Sequence, residues 1–395
     1  MESKVRHMWN CPTPNPDKRG AGFPVLENAR HTVVFRGTRE GGAYNHHNQL
    51  IVHNAVFYAM WSNHRFGEDG PGQRVLYSIS QNAAEWSDAE VLFPSPQKMG
   101  PSEQKGIVLT ALRWVTVNGQ LHAVARCHAN IGFENAAGTD IADTRDAKHP
   151  FRARKSYDGF CRRINPDGEP GPILPLGPET PPADNLKFTP ESWGNSDVRR
   201  TSRKVIHALQ QPANIPAWSP PGIEIPRGIG THGLCEPTVY QAADGTYVIL
   251  LRDLDYSHRM YVSTSKNLRE WPTAHPTDIP DSPSLSTTVT LENGTVLLIG
   301  NQMAPKFDNP EKGHYSRDPL MVSVSPDGKT FEKAYALRCG IQDFRVSQSL
   351  VKGRGGGAQY PSATVHKNTL YVLYSMGKED IWISSVRLAD IARGP

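Results

Sequence analysis

The chain has 395 residues, of which 34 are glycine and 33 proline, so helical bundles and long regular elements are excluded. Only 37% of residues are apolar, and no run approaches the roughly 18 consecutive apolar residues of a membrane helix; the 8 Trp, 13 Tyr and 12 Phe are too many for a disordered chain. The net charge of +4 suits an anionic partner, while the absence of any long basic run argues against nucleic acid.

What remains is a protein of short elements and many turns, an all-β architecture. Residues 1–30 have no apolar stretch of the secretory type and read as an N-terminal extension. A cytoplasmic location is expected, or a secreted one if a leader has been removed. The five cysteines form no CxxC pair, and their odd number argues for buried thiols rather than a disulfide framework.

From residue 31 onward, hairpin signals recur. Strand–turn–strand patterns surround Asn54-Ala55, Asn118-Gly119, Asp244-Gly245, Asn293-Gly294 and Lys367-Asn368. Such pairs between β-rich runs are strong local hairpin cues. The gap between the second and third turns is wide enough for two units, with Pro166-Asp167-Gly168 inside it as a degenerate turn.

Three further windows share the pattern S-x-S-x-[ND]-x-x-x-[WF]. They run from Ser78 to Trp86, from Ser263 to Trp271 and from Ser323 to Phe331. In each, Asn or Asp caps a tight turn and the aromatic folds back as a plug. A weaker fourth, Ser156-Tyr157-Asp158, lacks the aromatic. Units of about 50 to 60 residues with four strands each are propeller blades, and the length then gives about seven. The expected fold is a single seven-bladed β-propeller over residues 31–395, with six blades as the alternative.

Chemistry concentrates at Tyr44-Asn45-His46-His47-Asn48 and at Trp61-Ser62-Asn63-His64-Arg65, followed by Glu68-Asp69. Antiparallel pairing around Asn54-Ala55 brings these segments to one rim. Strand alternation sends His46 and His47 to opposite faces, so that only one looks into the central cavity with His64. The imidazoles lack HExxH spacing and a cysteine set, so acid–base work is favoured over a metal site.

Later candidates are Arg162 of the Arg162-Arg163 pair, Glu236 at the start of a strand, and Arg252 at the end of the next. Arg252 is followed by Asp253 and reads equally as a salt bridge or a ligand contact. Lys378-Glu379-Asp380 reads as a surface turn. Residues 130–152 and 210–233, the latter with five prolines, fit no blade and read as loops overhanging a cleft.

The segments YNHHNQ, WSNHRFGEDGPGQRVLYSIS, CRRINPDGEPGPIL, CEPTVYQAADGTYVILLRD, RDPLMVSVSPDG, GAQYPSA and LYVLYSMGKEDIWISSVRL resemble the seven-bladed propeller lyases of the sialidase-like superfamily. That branch includes the L-rhamnose-α-1,4-D-glucuronate lyases and the ulvan lyases. The resemblance covers nearly the whole chain and implies β-elimination at a uronic acid, with a histidine and a tyrosine as base and acid. It gives His46 or His47 the basic role and His64 and Arg162 the uronate carboxylate; the acid tyrosine of that branch has no clear match, so the proton donor is Tyr157 or, in a syn elimination, the same histidine. Asn45, His47, Glu236 and Arg252 stand as substrate-binding residues.

A monomer acting on an anionic, uronate-containing glycan is expected, away from membranes and nucleic acid. No cofactor is required, with a structural ion left open. In sialidases proper, an Arg-Ile-Pro segment supplies a carboxylate-gripping arginine and a Tyr–Glu pair the nucleophile. Here His46 aligns with that arginine and no Tyr–Glu pair stands out in the sequence, so sialidase chemistry is disfavoured. The rival readings are a glycoside hydrolase using Glu236 and Asp69, and a non-catalytic carbohydrate-binding propeller.

Overall fold

A computed structural model describes residues 5–65, 67–68, 72–95, 107–130, 154–180, 190–215, 226, 228, 233–255, 257–303, 317–346 and 356–394. The described strands form five four-stranded antiparallel sheets. The first blade is β2 (Tyr44–His53), β3 (Val56–His64), β4 (Arg74–Ser80) and β5 (Glu90–Phe93). The second is β6 (Ile107–Val117), β7 (Gln120–Asn130), β8 (Arg154–Ile164) and β9 (Pro170–Pro175). The third is β10 (Leu234–Gln241), β11 (Tyr247–Asp253), β12 (Arg259–Ser265) and β13 (His275–Pro280). The fourth is β14 (Thr287–Thr290), β15 (Val296–Gly300), β16 (Leu320–Ser325) and β17 (Lys333–Arg338). The fifth joins β18 (Ala358–His366), β19 (Thr369–Met376) and β20 (Asp380–Arg387) to the N-terminal β1 (Arg30–Phe35), which pairs with β20 and closes the ring.

The protein is thus an all-β propeller, but the expectation of seven blades, or six, is overturned: the described sheets number five. All five sequence-visible hairpins lie between the first and second strands of a blade. The extra blades came from dividing length by a unit size, and the residues counted into them do something else. Pro166-Asp167-Gly168 is the turn between β8 and β9, within the second blade. Beyond β9 lies α1 (Ser196–Leu209), capped by Asn195, whose side chain accepts from the N–H groups of Asp197 and Val198. The helix buries Val205 and Leu209 beside Leu112, Val115, Val124 and Cys161 of the second blade. The single turn Pro212–Asn214 follows, and Ile215 packs on Ile249 and Leu251 of the third. These helical residues fill space between the second and third blades.

Elsewhere blades pack directly, with Trp114 and Phe160 against Met60 and Tyr77, and Leu373 and Ile383 against Phe57 and Trp61. Residues 5–29 lie along the outside of the third and fourth blades. Arg6, Trp9 and Val25 form bridges to Thr277, Phe331 and Ala336, and Met8, Trp9 and Phe23 are buried there. The inner strands are β2, β6, β10, β14 and β18: β18 packs beside β2, β2 beside β6, β10 beside β14 and β14 beside β18. The starts of these strands and the ends of the second strands share one face, which carries the site.

The repeated turns follow their sequence. Asn82 Oδ1 accepts from the N–H groups of Ala84 and Glu85, both at 2.9 Å, and Trp86 folds back to donate to Ala83 O. Asn267 and Trp271 repeat this between β12 and β13, and Asp327 with buried Phe331 between β16 and β17. Ser156-Tyr157-Asp158 instead lies within β8 and is no turn. All five cysteines are unpaired thiols.

Candidate active site

Three inner strands begin with the same irregularity. Register shifts occur between His46 and Gln49 in β2, between Cys235 and Thr238 in β10, and between Gln359 and Ser362 in β18. Inside each bulge one non-glycine residue takes a positive φ: His47 at 53°, Glu236 at 51° and Tyr360 at 55°. Such residues cost about 1–3 kcal/mol each and cluster where side chains must be re-aimed for function. The bulge overturns the expectation that His46 and His47 face opposite sides. Their ring centroids lie 4.7 Å apart, and both rings meet Tyr360, at 4.0 and 5.8 Å.

Tyr360 is the centre of the cluster. Its hydroxyl donates to Glu236 Oε1 at 2.5 Å, and Arg252 Nη1 donates to Glu236 Oε2 at 2.8 Å and to Tyr360 Oη at 3.1 Å. The Arg317 guanidinium lies 5.2 Å from the Tyr360 ring centroid, and it donates to Gln359 and to Pro283 O. Burial and then the Glu236 charge push the Tyr360 hydroxyl well above its ordinary range, so it rests as a neutral donor. Burial works against the charge on Arg252, but Glu236 outweighs it and holds the guanidinium firmly charged.

His46 is fully buried, with Nδ1 2.7 Å from Ser375 Oγ. Burial first, then Lys378, His47 and Arg317, push its pKa well below the ordinary histidine value, so its ring is neutral. His47 Nε2 lies 3.2 Å from Glu68 Oε1, and Lys378 Nζ donates to Glu68 Oε2 at 2.7 Å. Burial pushes the Glu68 carboxyl up, but Lys378 and His47 overcome it and hold it well below the carboxylate range. The reading of Lys378-Glu379-Asp380 as a surface turn is therefore corrected. All three are buried, because Glu68 takes the lysine and Arg345 takes both carboxylates.

The remaining sequence candidates fall elsewhere. Asn45 braces the rim, donating to Gly42 O and Glu379 O while accepting from Trp61 Nε1 and Asn63 Nδ2. His64 is buried at the end of β3, where its Nδ1 accepts from Gly67 N–H. Arg162 is on β8, a third strand rather than an inner one, and its guanidinium donates to the carbonyls of Gly171, Leu92 and Pro170. Those bonds tie two blades together and place Arg162 apart from the Tyr360 cluster. Arg252 turns to Glu236, whereas Asp253 accepts from the backbone of Asp255 and Ser257. Tyr157 lies in β8 but its side chain is outside the described residues, as are Asp69 and the bulk of the two loops at 130–152 and 210–233.

Sequence reasoning missed Tyr360, Arg317 and the pairing of Glu68 with Lys378. A signal existed: Cys235-Glu236-Pro237-Thr238 and Gln359-Tyr360-Pro361-Ser362 open two inner strands with the same polar–proline–hydroxyl order. The Tyr–Glu pair not visible in sequence is formed by residues 124 positions apart.

Comparison with known proteins fits the propeller fold. A profile of the BNR repeat-like domain matches residues 196–372. Comparison of the sequence with curated proteins gives no match. Among solved structures, one titled "Sialidase" is similar at 18% identity with a TM-score of 0.68, covering 97% of this chain and 35% of that one. The fold is sialidase-like. A Dyadobacter fermentans protein of unknown function superposes at 12% identity with a TM-score of 0.54, covering 91% of this chain and 99% of that one. Trypanosoma rangeli sialidase with the inhibitor DANA does so at 11% identity and 0.52, covering 91% and 59%. The chain thus spans about a third of the first sialidase and under two thirds of the second.

Proposed function

We propose that the protein is a glycoside hydrolase acting on a glycoside of an acidic sugar, with Tyr360 as nucleophile and Glu236 as its base. The observation that carries this reading is the 2.5 Å hydrogen bond from Tyr360 to Glu236, with Arg252 donating to both. A phenol held neutral by burial becomes a nucleophile only if its proton has a local acceptor, and Glu236 is in contact to take it. A tyrosine nucleophile is a known exception to the two-carboxylate scheme of glycosidases. Arg252 and Arg317 supply the positive field that holds an anionic substituent and favours the developing phenolate. His46, tilted against the tyrosine, and His47, edge-on to it, fix its ring. The scheme calls on no cofactor.

Fluorogenic aryl glycosides of sialic and uronic acids test it. Wild type should release the fluorophore, whereas Tyr360→Phe and Glu236→Gln should fold normally and lose turnover. Turnover surviving in Tyr360→Phe would end the reading.

One observation favours β-elimination as a second reading. The neutral His46 ring, 4.0 Å from Tyr360, would serve as base with Tyr360 as proton donor to the leaving oxygen. That reaction leaves an unsaturated uronate that absorbs in the ultraviolet, and hydrolysis does not. Absorbance growth on a rhamnosyl-glucuronate substrate, lost in His46→Gln, would select it.

A further inference from the structure

The Tyr360 cluster borders a second group of buried polar side chains. Between β13 and β14 the chain runs Asp281-Ser282-Pro283-Ser284, with Asp281 and Ser282 each 1% exposed and Ser284 0%. The backbone of this segment is anchored. Asp281 N–H donates to His258 O, Ser282 N–H to Asn301 O at 2.9 Å, and Pro283 O accepts from Arg317 Nη2 at 3.3 Å. The side chains are not anchored in this way. Among the described residues, both carboxyl oxygens of Asp281 and the hydroxyls of Ser282 and Ser284 have no hydrogen-bond partner, and neither do Arg252 Nε and Arg317 Nε. Buried polar atoms are nearly always paired, so such a group beside a candidate catalytic pair fits a site shaped for a polar ligand.

The charge balance around Asp281 indicates what kind of ligand. Burial dominates and raises its carboxyl well above the ordinary range. Arg252 on β11 and Arg317 ahead of β16 oppose this, while Glu236 on β10 and Asp253 on β11 reinforce it. Cys235 on β10, its own thiol pushed up by burial, is a further electrostatic neighbour. The surroundings of Asp281 therefore favour the neutral acid, with an O–H. That proton, the two serine hydroxyls and the two guanidinium Nε–H groups are all donors. A carboxylate, which only accepts, matches them; an ionised Asp281 would repel it.

We propose that Asp281 is a specificity-determining residue that, in its neutral acid form, donates a hydrogen bond to the carboxylate of a bound sugar acid held with Arg252 and Arg317. The inference rests on the acidic-sugar reading of the Tyr360 site and deepens it. Carboxylate binding and Asp281 ionisation exclude one another, so binding weakens as pH rises. Asparagine at this position keeps a donor and removes the titration.

Calorimetric binding of D-glucuronate and of DANA, neither of which is turned over by hydrolysis, tests this as a function of pH over the range in which the protein stays folded. Wild type should bind at least one of the two, with affinity falling as pH rises. Asp281→Asn should bind with a flat profile, and Asp281→Ala should bind about tenfold or more weakly at every pH. Equal binding by wild type and Asp281→Ala would overturn the proposal. A wild-type pH slope persisting in Asp281→Asn, or no binding of either anion by wild type, would do the same. If Asp281→Ala does not fold, the comparison with Asp281→Asn decides. Asp281-dependent binding without turnover of any aryl glycoside would remove the hydrolase reading and leave this inference standing.

Discussion

The turns between the third and fourth strands and the starts of the inner strands are both repeated across the propeller, yet they are built on opposite terms. In the turns, Asn82, Asn267 and Asp327 do what isolated peptides would favour, each accepting from backbone N–H groups two and three residues on. In the inner strands, His47, Glu236 and Tyr360 adopt a backbone conformation that their side chains disfavour. Local rules obeyed three times hold the scaffold. The same rule broken three times brings a tyrosine, a carboxylate and two imidazoles into one buried cluster.

The largest effects should separate activity from stability. Tyr360→Phe should lower kcat by about a thousandfold or more, as loss of a group used only in the reaction does, with little change in Tm; a large fall in Tm would make the tyrosine a packing residue. Next, Arg252→Met strands Glu236 without its buried partner. It should cost about 3–5 kcal/mol in urea unfolding as well as activity. Third, Asn267→Ala should cost about 1 kcal/mol through its lost turn bonds while leaving kcat unchanged. A change in kcat there would erase the distinction between the two regions.

The smallest expected effect is a slope with pH. Burial keeps His46 neutral in the fold, whereas the unfolded chain protonates it near its ordinary value. The unfolded state then binds more protons below about pH 6.5, so stability falls as the medium is acidified. His31, lowered by burial to about 4, contributes in the same direction. Thermal melts of His46→Gln should show a shallower acid slope than wild type, with the His31 part remaining.

Much of the scaffold was legible in sequence, because hairpins and capped turns are decided within a few residues. The five turns from Asn54 to Lys367 mark five blades; the larger number came from dividing length by a unit size and from reading the wide gap around Pro166-Asp167-Gly168, where α1 lies, as two units. The site was less legible. Glu236 and Arg252 were found as single residues, but their bond to Tyr360 depends on the closed ring, which no local pattern encodes. The opposite-face reading of His46 and His47 failed because alternation assumes an unbroken ladder, and a bulge breaks it at that point. That Arg162 lies on a third strand was not legible either, because a pair of arginines there looks, in sequence, like a pair on an inner one.

The pairing of β1 with β20 has a consequence for the order of events during synthesis. The strand that completes the last blade is made before the other described strands of the propeller, and its partner after them. Until residues 380–387 emerge, β1 has no sheet to join, and β18 and β19 lack their neighbour. Closing so long a loop is slow. A nascent chain therefore carries an unpaired edge while the strands from β2 to β19 are made, and that edge is open to pairing elsewhere until β20 covers it.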